Sequence, residues 1–318
     1  MEQNNAAAVL INSSARSGKD SLTPNEIRHL LESHSLKMCQ SLEISAKGIS
    51  LPEVRSFILT TANNGIRYFI SVGGDGTISL LVSEFIHLLE SETLNPDEFF
   101  FGAIGTGSSN DFHKPKHGYE FKGCPVRLNF KSTVRQEMIR VRTRNSLFYG
   151  INNFSMGFTT EANERFNQPG IILRRIKQFS PDLAIVITAL IQLIRLKSFA
   201  IRFRIHQDHQ FETLRFNNLG LVKNPHIAGS FRYPDHESRK QKSLGFHVIH
   251  SCTRLQFSKI LTQLIFGHFP SDQNRTSGSF KYTELKSDKP FSFEIDGEVY
   301  RDHHIRVDTF YQKLNFAT

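Results

Sequence analysis

The sequence predicts a two-domain protein of the α/β plus β class. A doubly wound parallel α/β domain is expected over residues 1–127, and a mainly antiparallel β-sandwich domain over residues 128–318. Apolar strands alternate with helix signals in the first third of the chain, whereas single apolar and polar residues alternate in later segments. The stretch between residues 113 and 130 contains several prolines and glycines, which is typical of a boundary between domains.

Three apolar runs predict buried strands in the first domain, and the segments between them carry helix signals. Thr23–Glu26 and Ser50–Glu53 each combine an N-cap hydroxyl, an early proline and a glutamate, so each motif opens a helix. Apolar residues recur at helical spacing between Ile78 and Leu89, which predicts a third helix. The alternation predicts four strands with three helices between them, and three of these strands are the apolar runs Ala6–Ile11, Tyr68–Val72 and Phe99–Ile104.

The later part of the chain has the period of two expected of half-exposed strands, over Phe199–Ile205 and Phe291–Ile295. An N-cap signal at Ser180 opens an apolar helix that extends to about Leu196, and basic residues flank it on both sides. A core helix with solvated ends is the favoured interpretation, and peripheral contact with an anionic membrane is the alternative. The flanking residues are Arg174, Arg175, Lys177, Arg195 and Lys197.

The composition excludes several classes of protein. With 39% hydrophobic and 22% charged residues over 318 positions, the chain is neither disordered nor a collagen or coiled coil. Its three cysteines lack CxxC spacing, which argues against a zinc site or a disulfide framework. The longest apolar stretch, Leu183–Ile194, is shorter than the roughly 20 residues of a membrane-spanning helix.

The charge and the first residues of the sequence indicate the partners and the compartment. A formal net charge of +9 attracts anions such as nucleotides or acidic lipid headgroups. The basic residues are dispersed and form no nucleic-acid-binding motif, so we expect no nucleic acid partner. Because the first residues do not form a signal peptide, we expect a cytoplasmic protein that can contact the inner face of the membrane. The sequence does not specify the oligomeric state.

The motif Gly73-Gly74-Asp75-Gly76-Thr77 follows the second apolar strand and is the strongest local signal. Its glycines allow backbone N–H groups to approach a phosphate, and the N-terminus of the next helix adds partial positive charge. Asp75 is unfavourable beside an anion unless it accepts a proton from an attacking hydroxyl or holds Mg²⁺. A plain turn in which Asp75 and Thr77 cap the helix is the alternative. We predict that the glycines and Thr77 bind phosphate and that Asp75 serves as base or metal ligand.

A second loop, NSSARSGK over Asn12–Lys19, follows the first strand. Gly18 and the small hydroxyl residues can wrap a phosphate, with Arg16 or Lys19 supplying positive charge. A solvated loop uses the same residue types. We predict that Asn12, Arg16, Gly18 and Lys19 bind a nucleotide.

A third loop, Gly107-Ser108-Ser109-Asn110-Asp111, follows the third apolar strand. A parallel sheet brings the three loops together at the carboxyl ends of its strands. Asp111 and Asp75 can then face one Mg²⁺, directly or through water, since this ion favours one or two carboxylates and phosphate oxygens. An Asx turn is the alternative for Asn110-Asp111. We predict that the glycine, the serines and Asn110 bind nucleotide and that Asp111 binds the metal.

These motifs resemble the diacylglycerol kinase catalytic-domain family of lipid kinases, a more distant relative of NAD kinases and phosphofructokinases. The family has an NPxxG-type loop, a GGDGT loop and a G(T/S)xND(F/L) loop in this order. They correspond to Asn12–Gly18, Gly73–Thr77 and Gly107–Phe112. Asp296-Gly297-Glu298 matches a late DGE motif, so the resemblance covers nearly the whole chain and favours lipid kinases over NAD kinases. In the first loop, Ser13 stands where the family has proline.

The resemblance also assigns residues of the second domain. It implies that Asp296 and Glu298 assist the base or the metal, although Asp-Gly after an alternating strand is a hairpin signal as well. Glu137 aligns with a family aspartate of the metal network. The acidic pair of the family is absent around Lys242–Gly245, so we expect the structural metal site of the relatives to be missing.

The resemblance therefore implies an ATP-dependent lipid kinase that uses ATP and Mg²⁺. Its substrate is expected to be diacylglycerol or a related lipid such as a sphingoid base or ceramide, bound at the cleft between the domains. Asp75 would act as base or metal organiser, Asp111 and Glu137 would hold Mg²⁺, and Glu298 would assist. Two alternatives stay open, an NAD kinase-like enzyme and a non-catalytic regulator that binds nucleotide or lipid on the same fold.

Overall fold

The computed structural model describes residues 5–14, 22–45, 50–91, 94–114, 119–205, 209–234 and 242–318. The chain forms two compact units. Unit 1 comprises Met1–Gln136 and Gln312–Thr318, and unit 2 comprises Glu137–Tyr311. The division between the units lies within the strand at Thr133–Arg142. The domain boundary after residue 127 stays a prediction.

Unit 1 alternates strands and helices, as the mixed helix and strand content of the predicted fold class requires. Short 3₁₀ turns lie at Pro96–Glu98 and Asp111–His113. The strands are β1 (Ala6–Asn12), β2 (Lys37–Ile44), β3 (Tyr68–Gly73), β4 (Phe100–Gly105), β5 (Glu120–Phe121) and β6 (Cys124–Arg127). The helices are α1 (Pro24–Ser33), α2 (Leu51–Asn63) and α3 (Asp75–Ser91).

The sheet of unit 1 has the strand order β2-β1-β3-β4, and all three pairs are parallel. The last residues of the chain add a further parallel pair, in which Asn315 and Phe316 face Phe100 and Phe101. The chain leaves β1 toward β2 on one side and continues from β3 toward β4 on the other. The carboxyl ends of β1 and β3 therefore flank a topological switch point, where open α/β sheets bind ligands.

The core of unit 1 lies on both faces of this sheet. On one face, Val9, Ile70 and Val72 pack in a cluster with Ile27 and Leu30 of α1. On the other face, the ring of Phe85 in α3 contacts those of Phe69, Phe99 and Phe101 at centroid distances of 4.9 to 5.9 Å. Helices thus cover both faces and leave the ends of the strands for the loops.

Local signals in the sequence explain where the helices begin. The Thr23 side chain accepts from the N–H of Glu26, whose carboxylate accepts from the Thr23 N–H, so α1 has the predicted capping box. Ser50 caps α2 in the same way through the N–H of Glu53. Gly65 follows the end of α2 with a φ of +81°, the left-handed conformation that glycine adopts readily after a helix.

Unit 2 contains strands with four helices among its described residues. The strands are β7 (Thr133–Arg142), β8 (Leu147–Gly150), β9 (Asn153–Gly157), β10 (Phe199–Arg204), β11 (Glu212–Val222), β12 (His226–Ile227), β13 (Phe231–Arg232), β14 (Leu244–His250), β15 (Arg275–Phe280), β16 (Tyr282–Ile295) and β17 (Glu298–Ala317). The helices are α4 (Phe158–Asn167), α5 (Ile171–Phe179), α6 (Pro181–Ile194) and α7 (Arg254–Ile265).

The strand pairs within unit 2 that the structure describes are antiparallel. β14 lies between β15 and β11, β10 lies between β11 and β16, and β9 pairs with both β11 and β16. A cluster of buried apolar side chains that includes Phe154, Phe216 and Phe293 forms the core between these strands. The β-sandwich arrangement itself stays a prediction.

The hairpin signal at Asp-Gly is correct. Ile295 pairs with Glu298, so Asp296 and Gly297 are the two residues of the turn between β16 and β17. Both have positive φ, 47° and 94°, as a two-residue hairpin turn of type I′ requires.

The expectation that the apolar helix α6 is a core helix is wrong for one face of the helix. Ser180 caps it as predicted, by accepting from the N–H of Leu183. However, Leu183, Val186, Leu190 and Ile194 are exposed. Among the described residues, the structure contains no helix long and apolar enough to span a membrane.

Candidate functional site

Three loops meet at the carboxyl ends of the parallel strands of unit 1, as the sequence predicts. β1 ends at Asn12, β3 at Gly73 and β4 at Gly105. The N–H of Thr106 donates to the carbonyl of Gly73 at 2.9 Å, so the loops after β3 and β4 are joined by a backbone hydrogen bond. The order of the strands therefore places the three predicted motifs at one edge of the sheet.

Asn12 links the first loop to the start of α3. Its Nδ2 donates to Oγ1 of Thr77 at 3.1 Å, and its Oδ1 accepts from the N–H of Ser14 at 3.0 Å. The N–H and hydroxyl of Ser13 both donate to the carbonyl of Ile44. Three of the predicted phosphate-binding residues in this loop, Arg16, Gly18 and Lys19, lie outside the described residues.

The second and third loops touch through glycine. A Cβ added at Gly107 would lie 2.5 Å from Cα of Gly74, and one added at Gly74 would lie 3.2 Å from Cα of Gly107. Gly73 is equally restricted, because a Cβ there would lie 2.2 Å from Oγ1 of Thr77. Gly76, in contrast, is exposed and has open space around it. The glycines at positions 73, 74 and 107 are thus required by close packing of backbones and caps.

Asp75 lies in the first turn of α3, earlier than the helix start near Ile78 that the sequence predicts. Its Oδ2 accepts from the N–H of Asp111 at 2.9 Å, and its Oδ1 accepts from the N–H of Phe112 at 2.7 Å. The carboxylate therefore fastens the start of α3 to the 3₁₀ turn at Asp111–His113. This contact orients the group with little freedom to rotate, since both of its oxygens are held.

The third loop is closed by Asn110, which has a left-handed φ of 48°. Its Nδ2 donates to the carbonyls of Gly105 and Gly107 at 3.1 and 2.9 Å, and its Oδ1 accepts from the N–H of Gly107 at 3.1 Å. Ser108 is exposed and Ser109 is half-buried in the middle of this loop. Asn110 therefore shapes the loop, and the two serines present its hydroxyl groups.

Asp111 is buried, and its Oδ1 forms an ion pair with Nζ of Lys114 at 2.9 Å. Across the described residues, no group of three or more His, Cys, Asp or Glu side chains is placed to hold a metal ion. The predicted metal ligands Asp75 and Asp111 are brought together by the hydrogen bond between them. Each of their carboxylates is also engaged by donors of the protein.

Arg127 lies beneath the third loop and was not singled out from the sequence. It donates to the carbonyls of Phe112 and Ala317 at 2.8 and 2.9 Å, and its guanidinium lies 4.4 Å from the ring centroid of Phe112. Burial lowers the pKa of Arg127 to about 10. The only signal for it in the sequence is a single basic residue inside a short apolar strand.

Glu137, the third predicted metal ligand, belongs to unit 2. Its Oε2 lies 2.7 Å from Nζ of Lys223, and both side chains are buried. It also accepts from the N–H of Lys242 at 2.8 Å. The cation beside Glu137 in this structure is therefore the ammonium of Lys223.

The DGE motif separates into residues of different character. The Asp296 carboxylate is buried and accepts from the N–H groups of Ile151, Asn152 and Asn153 at 2.6 to 2.9 Å. It thereby holds the turn between β16 and β17. Glu298, the first residue of β17, is exposed.

Glu294, two residues before the motif, was missed by the sequence reasoning because it occupies an ordinary polar position in an alternating strand. Its oxygens accept from the hydroxyl of Ser155 at 2.6 Å and from the N–H of Gly297 at 3.0 Å. Burial raises the pKa of Glu294 above its usual value, with the charge of Asp296 acting in the same direction. Two buried acids thus support the turn that presents Glu298.

The loops of unit 1 surround the N-terminus of a long helix, which suits an anion. Glycine backbones approach one another there at the N-terminus of α3, a helix of 17 residues, and this arrangement attracts an anion. Mg²⁺ would use few protein ligands, because it usually keeps several waters and binds through one or two carboxylates and substrate phosphates.

Residues 6–123 match the family model of the diacylglycerol kinase catalytic domain. The match spans β1 to β5 and contains all three loops, so the resemblance predicted from the sequence is confirmed over these residues. A search of curated proteins finds no match to the sequence.

Solved structures of similar fold come from Bacillus anthracis str. Sterne. One “putative diacylglycerol kinase” has a TM-score of 0.69 at 14% identity, and a second has 0.67 at 13% identity. A diacylglycerol kinase from the same organism has a TM-score of 0.64 at 11% identity. Each alignment covers 100% of this chain and 98% of the other. At these identities the likeness shows a shared fold over the whole chain.

Proposed function

We propose that this protein is an ATP-dependent lipid kinase that transfers the γ-phosphate of ATP to a lipid hydroxyl. The observation that carries the proposal is the convergence of the loops after β1, β3 and β4 at one edge of the parallel sheet. Asp75 holds the third loop there through two backbone N–H groups, and Gly74 contacts Gly107 directly. The family model matches the same segment of the chain.

The phosphates of ATP are proposed to bind at the N-terminus of α3. Gly76 has open space around it there, and the helix dipole favours negative charge. Asn12 of the first loop lies beside this position, because it forms a hydrogen bond with Thr77 in the first turn of α3. The exposed hydroxyl of Ser108 and the neighbouring Ser109 are proposed to contact phosphate or ribose. Arg16, Gly18 and Lys19 complete the predicted set.

Asp75 is proposed to orient the reacting groups and to act as base or metal organiser. A carboxylate has about four acceptor positions on its two oxygens, so it can accept from several donors at once. Phosphoryl transfer depends mainly on positioning and charge neutralisation, which a fixed carboxylate serves well. Bound Mg²⁺ supplies neutralisation of the phosphate charge. Asp111 is proposed to contribute to this once Lys114 turns toward phosphate.

Glu298 is proposed as the residue of unit 2 that takes part in the reaction. It is exposed at the end of a turn that Asp296 and Glu294 hold rigidly. Asp296 itself is proposed to act mainly by positioning, because three backbone N–H groups surround its carboxylate. Glu298→Gln is expected to lower turnover without changing the stability of the turn.

The experiment is transfer of labelled γ-phosphate from Mg-ATP into a panel of acceptors. Diacylglycerol, ceramide, a sphingoid base and monoacylglycerol are presented in mixed micelles, with NAD as the soluble acceptor. Label in a lipid supports the proposal and names the substrate class. Label in NAD alone overturns it in favour of an NAD kinase-like enzyme.

A non-catalytic regulator is the second candidate, and two ion pairs favour it. Asp111 forms an ion pair with Lys114, and Glu137 forms one with Lys223, so two predicted metal ligands already have an ammonium group beside them. ATP binding measured by calorimetry, together with no label in any acceptor, would support this candidate. Transfer to lipid by the wild-type chain would rule it out.

A further inference from the structure

Helix α6 exposes apolar side chains on one face and buries polar side chains on the other. Leu183, Val186, Leu190 and Ile194 are 46 to 65% exposed and lie along one face. The opposite face, which packs into unit 2, carries Ala184, Thr188 and Gln192, which are at most 2% exposed. A surface helix ordinarily buries its apolar stripe and exposes its polar one.

Polar side chains of the inner face form hydrogen bonds that favour this orientation of the helix, while Oε1 of Gln192 is buried without a partner. Nε2 of Gln192 donates to the carboxylate of Glu161 in α4, and Nζ of Lys197 forms an ion pair with the same carboxylate at 3.0 Å. The hydroxyl of Thr188 donates to the carbonyl of Ala184 at 2.7 Å. Rotation of α6 would break the hydrogen bond between Gln192 and Glu161.

Helix α5 extends the exposed apolar area. Ile171, Ile172 and Phe179 are 76 to 82% exposed, and α5 packs directly against α6. We call the exposed apolar residues of the two helices the α5–α6 surface. Single exposed apolar side chains are ordinary, but seven on two adjoining helices are typical of a surface with an apolar partner.

Exposed arginines accompany this surface along the chain. Arg174, Arg175 and Arg195 are exposed on the same two helices or directly after them. Asp182 is the only acidic residue in the sequence between residues 165 and 205. An apolar area with exposed arginines matches the boundary between acyl chains and anionic headgroups, where long basic side chains extend toward the phosphates.

We propose that the α5–α6 surface docks this protein on an anionic lipid bilayer. The apolar side chains enter the boundary between acyl chains and headgroups, and the three arginines contact lipid phosphates. Helix α6, with 14 residues, then lies in the plane of the membrane surface. The inference rests on the proposed function, since a lipid kinase must reach a substrate that resides in a bilayer.

Contacts within unit 2 connect this surface to the DGE turn. Helix α4 packs against α6, and its Asn167 donates through Nδ2 to the carbonyl of Gly297 at 3.2 Å. Glu164 of the same helix forms an ion pair with Arg301 of β17. One helix therefore lies against both the docking surface and the segment that carries Glu298.

The test is sedimentation of the full chain with vesicles of phosphatidylcholine alone or mixed with phosphatidylglycerol in about equal parts. The wild-type chain is expected to bind the mixed vesicles and to bind phosphatidylcholine weakly. Val186→Gln with Leu190→Gln should lower binding by about ten-fold for each side chain, because each loses a buried apolar contact with the bilayer. Arg174→Gln with Arg175→Gln should lower it by about five-fold for each charge, on anionic vesicles only.

The matched control is Leu51→Gln, which changes an exposed leucine on α2 of unit 1 and should leave binding unchanged. Glutamine is a good helix former, and circular dichroism establishes that every variant is folded. Equal vesicle binding by the wild-type chain and the Val186/Leu190 variant would overturn the proposal. A second outcome would also overturn it: the wild-type chain is a dimer that binds no vesicles, and the Val186/Leu190 variant is a monomer. The surface would then join two copies of the chain.

Failure of docking and failure of the kinase proposal are distinguishable. The Val186/Leu190 variant should phosphorylate a short-chain, water-soluble lipid at the wild-type rate and lose activity on vesicles alone. Equal loss on both substrates would contradict a docking role. Vesicle binding without activity on any lipid would leave the surface in place and refute the kinase.

Discussion

Replacement of Asp75 by asparagine should separate the two tasks that the structure gives to this residue. The carboxylate accepts from the N–H groups of Asp111 and Phe112 at 2.9 and 2.7 Å. Asparagine keeps one acceptor oxygen and places an NH₂ group against the other N–H. The cost is one hydrogen bond to a charged group, about 1.5–3 kcal/mol, and a backbone donor left without its acceptor, about 1–3 kcal/mol. Because the loops relax, we expect a net loss of about 2–4 kcal/mol from the free energy of unfolding of unit 1.

The assay combines urea unfolding with kinetics under conditions in which the variant is fully folded. Turnover should fall by about 10²–10⁴-fold, the usual effect of removing a general acid or base, while the affinity for ATP falls less. The matched control is Asp97→Asn, whose carboxylate forms only an exposed ion pair with Arg135 and should cost less than about 1 kcal/mol. A variant of Asp75 with wild-type stability would refute the capping argument, and one with wild-type turnover would refute the proposed role in the reaction.

Three further changes test other parts of the structure. In Gly107→Ala the new Cβ would lie 2.5 Å from a backbone atom of the facing loop, so the loops must separate by about 1 Å, at a cost of about 1–3 kcal/mol and about 100-fold in turnover. Lys223→Met leaves the buried Glu137 without its cation and should cost about 3–5 kcal/mol. Burial opposes ionisation of Glu284, yet hydrogen bonds from Tyr282, Arg204 and His304 lower its pKa to about 2, so its contribution to stability should be lost as pH falls from about 4.5 to about 2.

Each of these changes has a matched control that urea unfolding can compare directly. The added methyl of Gly76→Ala meets no atom within 4 Å, so this change should not lower the stability of unit 1 and should raise it by up to about 1 kcal/mol. Lys122→Met removes only an exposed ion pair with Glu26 and should have little effect on stability. Glu284→Gln should make the stability of unit 2 less dependent on acid. Unchanged stability of Gly107→Ala or Lys223→Met, or an equal acid dependence with and without Glu284, would contradict the corresponding contact.

Features encoded by neighbouring residues could be predicted from the sequence. The caps at Thr23, Ser50 and Ser180 depend on side chains that reach only a few residues along the chain, and all three are present. The meeting of the three loops could also be predicted, because parallel strands present their carboxyl ends at one edge of a sheet.

Contacts between distant segments could not be predicted. Glu137 and Lys223 are far apart in sequence, so nothing near Glu137 indicates that an ammonium lies against it. The two N–H groups bound by Asp75 likewise depend on the fold of another loop. For α6, hydrophobic periodicity identifies the helix, but it does not indicate that Thr188 and Gln192 face inward. The polar contacts with α4 decide that orientation.

The most direct test of the central claim is transfer of the γ-phosphate of ATP to diacylglycerol by three forms of the chain. These are the wild type, Gly107→Ala and Gly278→Ala, whose added methyl meets open space in β15. The account predicts label in the lipid for the wild type and Gly278→Ala, and about 100-fold less for Gly107→Ala. Equal transfer by all three forms, or label in NAD and in no lipid, would contradict it.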